Sequence, residues 1–132
     1  MRVAALALIA FVATGCMSRG SASEGEDAAP TADLEISVTA GGESPTKLWT
    51  LRCPGGSGTL PQAAEACDRL AAIDDPFAPV PKDVACTEIY GGPQEAEVHG
   101  MFRGQRVDAT FNRTDGCEIA RWDKVEFLFP TG

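Results

Sequence analysis

The chain has 132 residues and a net charge of −8, with 44% hydrophobic and 23% charged side chains. That balance is globular rather than disordered, and the length allows one small domain with a modest core. No cluster of Lys or Arg is present to neutralise phosphates, so a nucleic-acid partner is excluded and the acidity reads as solubility.

At the N-terminus, Arg2 precedes VAALALIAFVAT (3–14), an apolar run too short to span a bilayer but suited to the core of an export signal. The run closes on Ala13-Thr14-Gly15-Cys16. This resembles the bacterial lipobox, in which the cysteine is lipidated and the signal is cut just before it, although Ala13 stands where that motif prefers Leu. The reading is a signal peptide over 1–15, then a lipidated Cys16 and a flexible acidic linker over 16–33, with the domain following over 34–132. Such a chain is exported, either extracellular or anchored to the outer face of the cell membrane; ordinary cleavage nearby would instead lose Cys16 or leave it free. Five cysteines (Cys16, Cys53, Cys67, Cys86 and Cys117) agree with this, because lipidation of Cys16 leaves four for two disulfides in an oxidising compartment.

In chain order, LEISVTA (34–40) alternates apolar and polar residues as a half-buried strand does. GGESP (41–45) turns the chain, and TKLWTLRC (46–53) makes a second strand with Trp49, Leu51 and Cys53 on one face. The Gly-rich PGGSG (54–58) lacks the ending of a phosphate loop and is a connector. TLPQAAEACDRLAAI (59–73) predicts a helix: Thr59 and Gln62 have capping-box spacing, Pro61 suits a first turn, and Ala63, Ala66, Cys67, Leu70 and Ile73 form one stripe. Asp74-Asp75-Pro76 ends it. AEVHGMF (96–102) and QRVDATF (105–111) predict a hairpin, CEIARWDK (117–124) a short helix or turn, and VEFLF (125–129) a last strand. The expected class is α+β, a five-stranded, mostly antiparallel sheet with one longer and one short helix.

Catalytic chemistry is not visible. The lone His99 sits in an alternating strand without a nucleophile to serve, and the acidic pairs Asp74-Asp75 and Glu95/Glu97 read as helix-end and strand-surface charges. No Cys/His set of zinc spacing occurs, so no metal or other cofactor is expected. The chain reads as a binding protein rather than an enzyme.

One segment is unlike the rest. CTEIYGGPQ (86–94) follows the proline-spaced PFAPVPKDVA (76–85) and suits neither helix nor plain strand. Together with GTLPQAAEAC, FRGQRV, GCE and the VEFLF ending, its order and spacing resemble the Streptomyces-type subtilisin inhibitor family of secreted serine-protease inhibitors. The residues alone leave three cysteine pairings open; the resemblance implies Cys53–Cys67 and Cys86–Cys117. It also implies a reactive bond between Glu88 and Ile89. Cys86 and Thr87 would precede the specificity residue Glu88, and Tyr90 and Gly91 would complete the protease-contacting loop. Asp115, where the family typically has Asn, would support that loop, with its carboxylate close enough to Glu88 to repel it. Family members often show Met, Lys or Arg in place of Glu88, so trypsin-like enzymes, whose pocket carries a carboxylate, should be poor targets. The implied partner is a subtilisin-like or glutamyl-specific serine protease, with a homodimer through the far sheet face also implied. The alternative is a non-inhibitory envelope lipoprotein or binding module that keeps the inhibitor fold.

Overall fold

Alternation of side chains builds the sheet. In β1 (Ala32–Thr39), Ala32, Leu34, Ile36 and Val38 are buried while Glu35 is exposed, the pattern of a strand with one dry face. β2 (Lys47–Cys53), β3 (Glu95–Phe102) and β4 (Gln105–Asn112) share the alternation, burying Leu51, Val98 and Phe111 among others. The computed structural model describes residues 29–131. It pairs the strands antiparallel in the order β2-β1-β3-β4. Ala32 and Asp33, expected in the linker, already belong to the sheet, and the Thr31 N–H donates to the Cys53 carbonyl at 2.9 Å. The signal over 1–15, Cys16 and the linker before residue 29 lie outside the described residues.

The helix between β2 and β3 is shorter than its sequence suggests. α1 spans Ala63–Ala71, and the expected stripe holds, with Ala66, Cys67 and Leu70 buried. Thr59 does not cap it. Its hydroxyl accepts the Thr50 N–H at 2.9 Å and its own N–H donates to Thr50 Oγ1 at 3.1 Å, so the edge of β2 consumes both groups. Gln62 takes the N-cap position with left-handed backbone, φ 54°. At the other end Arg103, in the tight β3–β4 turn, donates to the carbonyls of Leu70, Ala71, Ile73 and Asp74. A fork of donors thus satisfies what the helix end leaves open.

The sheet has four strands rather than five. VEFLF is not a strand: α2 spans Gly116–Val125, longer than α1, and a 3₁₀ turn continues over Glu126–Leu128. Trp122, Val125, Leu128 and Phe129 are buried, a spacing near three that belongs to a helical segment. Val125, Phe127 and Phe129 taken by themselves fit a strand's alternation, but the buried Trp122 and Leu128 beside them set the helical period. Both helices cover one sheet face, and the ring of Phe129 lies 5.1 Å from Phe111 and 4.7 Å from Trp122. Aromatic packing therefore locks the C-terminal segment to β4.

This seam makes a direct prediction. Phe111→Ala should cost about 3–5 kcal/mol in denaturant unfolding, through lost burial and an unfilled cavity. Leu48→Ala, at a side chain 76% exposed on the edge strand, should stay within about 0.5 kcal/mol.

Candidate functional site

Between α1 and β3 the chain has neither helix nor strand, yet it is well fastened. Pro76 is buried, Phe77 meets Phe102 edge-on at 5.3 Å, and Arg121 Nε on α2 donates to the Ala78 carbonyl at 2.8 Å. Beyond Pro79 the chain rises into solvent. Ile89 is 54% exposed, Tyr90 is 68% exposed, and Thr87 and Glu88 are exposed beside them. A solvent-facing Ile-Tyr pair gains nothing from folding, so its position needs a cause outside the core.

That position is fixed by the start of α2. Cys86 is bonded to Cys117, with Cα atoms 5.3 Å apart, and Cys53 to Cys67, the pairing implied by the family resemblance. Next to the first bridge, the Thr87 carbonyl accepts two N–H groups, from Gly116 and from Ile89, each at 2.9 Å. The bond from Ile89 closes a three-residue turn with Glu88 at its apex, so the segment is tightly bent there rather than uniformly extended. Gly116 must approach closely: a Cβ on it would stand 3.1 Å from Thr87 Cβ. Downstream, the Gly91 N–H donates to the Arg113 carbonyl at 2.7 Å, and Arg113 Nε donates to the Gly91 carbonyl at 3.3 Å. The Glu88–Ile89 bond thus lies between a fastening at Cys86–Thr87 and another at Gly91.

Asp115 caps α2. Its Oδ1 accepts the Glu118 N–H at 2.9 Å, the bond of an N-cap, and its charge suits the positive end of the helix. Asp115 and Glu118 stand three apart, a spacing that could have marked the helix start in the sequence. An Asp115 carboxylate oxygen lies within 4.8 Å of both sulfurs of the Cys86–Cys117 pair, but those sulfurs are spent in a disulfide, which leaves one carboxylate and no ligand set. Among the described residues, no hydrogen bond or ion pair holds the Glu88 side chain. Loop exit is controlled by Gly41, whose φ of 99° and missing side chain admit Pro93; a Cβ there would come within 2.5 Å of the proline ring.

Two other features stand apart. His99 is a surface residue between Asp108, 3.0 Å from Nδ1, and Glu97, 3.5 Å from Nε2, with no nucleophile in contact. A cleft of about 530 Å³ opens beside Gly91, between α1 and the end of α2, lined in part by Gln62, Arg69, Gln94, Arg113 and Phe127. Its walls mix charged, amide and aromatic groups.

The chain as a whole has relatives among known proteins. The family model described as subtilisin inhibitor-like matches residues 29–114. The chain belongs to this family. Subtilisin inhibitor from Streptomyces albogriseolus is 34% identical over 95 residues, which is 70% of this chain and 65% of that protein. Subtilisin inhibitor-like protein 4 from Streptomyces lavendulae is 36% identical over 99 residues, 68% of this chain and 82% of that protein. Subtilase-type protease inhibitor from Streptomyces coelicolor is 40% identical over 81 residues, 59% of this chain and 54% of that protein. The chain thus spans less than two thirds of the length of two of these relatives. The family match stops just before α2.

Sequence reasoning singled out the segment and, through the resemblance, its bridge Cys86–Cys117, but missed its hydrogen-bonded fastenings. Arg113 and the Thr87 carbonyl carried no local signal, since each works across a gap that only the fold closes. Replacing Asp115 by Ala should remove the cap at a cost of about 1 kcal/mol, and Asn should cost only a few tenths because it caps equally well. Chemical unfolding of both variants checks the ranking; equal loss in Ala and Asn would contradict the capping role.

Proposed function

We propose that this chain is an inhibitor of serine endopeptidases, acting through the Glu88–Ile89 bond. One observation carries the reading: that exposed bond is bracketed by a disulfide and backbone hydrogen bonds, all made to residues 113–117. The names of the relatives, inhibitors of subtilisin and of subtilase-type proteases, point the same way.

The physics follows from the bracketing. Serine proteases hold substrates by main-chain hydrogen bonds and a side-chain pocket. Ordering a peptide costs roughly 1–2 kcal/mol per residue, and from Cys86 to Gly91 much of that has been spent in folding. Glu88 would enter the specificity pocket, with Cys86 and Thr87 before the bond and Ile89, Tyr90 and Gly91 after it. Attack by the enzyme serine on the Glu88 carbonyl would transfer the serine proton, by way of the catalytic base, to the Ile89 nitrogen as the amide bond breaks. The freed amine stays beside the ester and can displace the serine again. Re-formation of the bond then competes with water. A partner with a basic or permissive pocket, glutamyl-specific or subtilisin-like, suits Glu88; a pocket carboxylate would repel it. An interface near 1,600 Å² would be normal for such a pair. In this reading the chain is exported and fixed to the cell surface by lipid on Cys16.

Two experiments test these statements. Incubation with a panel of glutamyl-specific, subtilisin-like and trypsin-like enzymes should give stoichiometric loss of activity with the first two classes. Glu88→Lys should move the preference to trypsin-like enzymes by tenfold or more, roughly the effect of 1.4 kcal/mol. Rapid turnover at Glu88–Ile89 would make the loop a mere substrate, and no complex with any enzyme would favour a non-inhibitory surface module. Labelled fatty acid should appear on the wild-type chain and vanish in Cys16→Ala; label on neither would remove the anchor.

A further inference from the structure

The two sides of the loop are held by different means. Upstream of the Glu88–Ile89 bond the hold is covalent, through Cys86–Cys117. Downstream, among the described residues, the hold is not covalent, and both hydrogen bonds at Gly91 are to Arg113, one through its backbone carbonyl at 2.7 Å and one through Nε at 3.3 Å. The Arg113 side chain is itself anchored. Its terminal nitrogen donates to Asp123 Oδ1 at 3.1 Å on α2, its guanidinium lies 5.8 Å from the Trp122 ring centre, and 23% of it is exposed. A planar fork can hold a carbonyl and a carboxylate together, which a point charge such as Lys does poorly. Gly91 is shaped for this contact: an added Cβ would come within 2.8 Å of Ile119 and 3.3 Å of Arg113 Cβ.

We infer that Arg113, steadied by Asp123, is the positioning residue that holds the downstream half of the loop in register. The inference rests on the inhibitor reading for its consequence. Once the Glu88 carbonyl carbon forms an ester with the enzyme serine and the C–N bond breaks, the new Ile89 amine is retained by the Gly91 contact. Re-ligation reverses those steps, returning the proton to the serine; hydrolysis adds water to the ester and releases the Glu88 carboxylate. The Arg113 contact biases this competition toward re-ligation. It touches neither the pocket residue nor the reacting bond, so it governs the lifetime of the complex more than its specificity.

The test uses the whole exported domain in wild-type, Arg113→Ala and Asp123→Ala forms. Amide hydrogen exchange is read residue by residue, and cutting at Glu88–Ile89 by a glutamyl-specific endopeptidase is followed by mass spectrometry. Arg113→Ala keeps the main-chain carbonyl that accepts the Gly91 N–H but removes the Nε bond to the Gly91 carbonyl and the tie to Asp123, so the loosened segment should open more often and exchange at Gly91 should speed about tenfold, the effect of losing one charge-assisted hydrogen bond. It should leave Val98 and Phe111, in the sheet, and Ile89, bonded to Thr87, near wild type. Cutting should accelerate by a similar factor, and Asp123→Ala should shift both readings in the same direction by less. Unchanged exchange at Gly91 overturns the inference, as does a uniform rise that includes the sheet, which would mark Arg113 as merely stabilising. Faster exchange with unchanged cutting of an inhibitory wild type also overturns it. If the wild type is cut as fast as an unstructured peptide, the inhibitor reading falls, and the exchange arm still decides whether Arg113 holds Gly91.

Discussion

The junction between residues 86–87 and residues 116–117 is the constraint on which the exposed loop depends. Cys86–Cys117 fixes one point, and the Gly116 N–H on the Thr87 carbonyl fixes the next peptide's orientation. A single tether would leave the segment free to swivel; two adjacent ones do not. The junction is only as firm as α2, and α2 is held through Trp122 and Val125 to the core and through Phe129 to Phe111 on β4. An unbroken path of packed atoms therefore runs from the sheet to an exposed bond. Rigidity at the surface is inherited from the interior.

Arginines complete what so small a core cannot. A long irregular stretch leaves backbone carbonyls without partners, and each one deprived of water and partner is costly. Arg103 collects carbonyls at the end of α1. Arg121 ties Ala78 in the loop approach to Thr110 in β4, pairs with Glu118, and lies 4.5 Å over the Phe111 ring. Arg113 does the same for Gly91 and Asp123. All three use several donors in a fixed plane, the geometry that lets one side chain fasten two segments at once. The exposed pair Arg52–Asp33 is of another kind: the guanidinium holds the Asp33 carboxyl below its ordinary range, yet full solvation leaves the pair of little weight.

What the sequence made legible follows the range of the interaction. The first four strands were readable because alternation is local: Leu34, Ile36 and Val38 announce their face without reference to anything else. The stripe of α1 was readable for the same reason, but its start was not. Thr59 has the right spacing for a cap, and the edge of β2 competes for the same hydroxyl and wins. VEFLF illustrates the ambiguity of short apolar runs, in which five residues fit either period until Trp122 is included. At the site, the resemblance supplied the loop and the pairing, whereas Arg113 and Gly116 act on partners more than twenty residues away in sequence. No local pattern encodes such a contact.

Glu88 then acquires a meaning that the loop alone would not give it. Its carboxylate belongs to the apex residue of a tight turn, exposed and without a partner among the described residues, while the Asp115 carboxylate accepts an N–H in the first turn of α2. In solution such a carboxylate is fully hydrated and costs nothing. In the proposed complex its hydration would be stripped, and an unpaired charge in a dry pocket is strongly disfavoured. In that reading the backbone clamp would not discriminate between enzymes, since serine proteases hold the main chain through similar hydrogen bonds. Selectivity would then come from Glu88, whose burial is unfavourable unless the pocket provides a cation, a hydrogen-bond donor or water. In that reading affinity and choice of target would reside in separate parts of the same loop: the first in bonds to residues 113–117, the second in a carboxylate that the fold leaves to solvent.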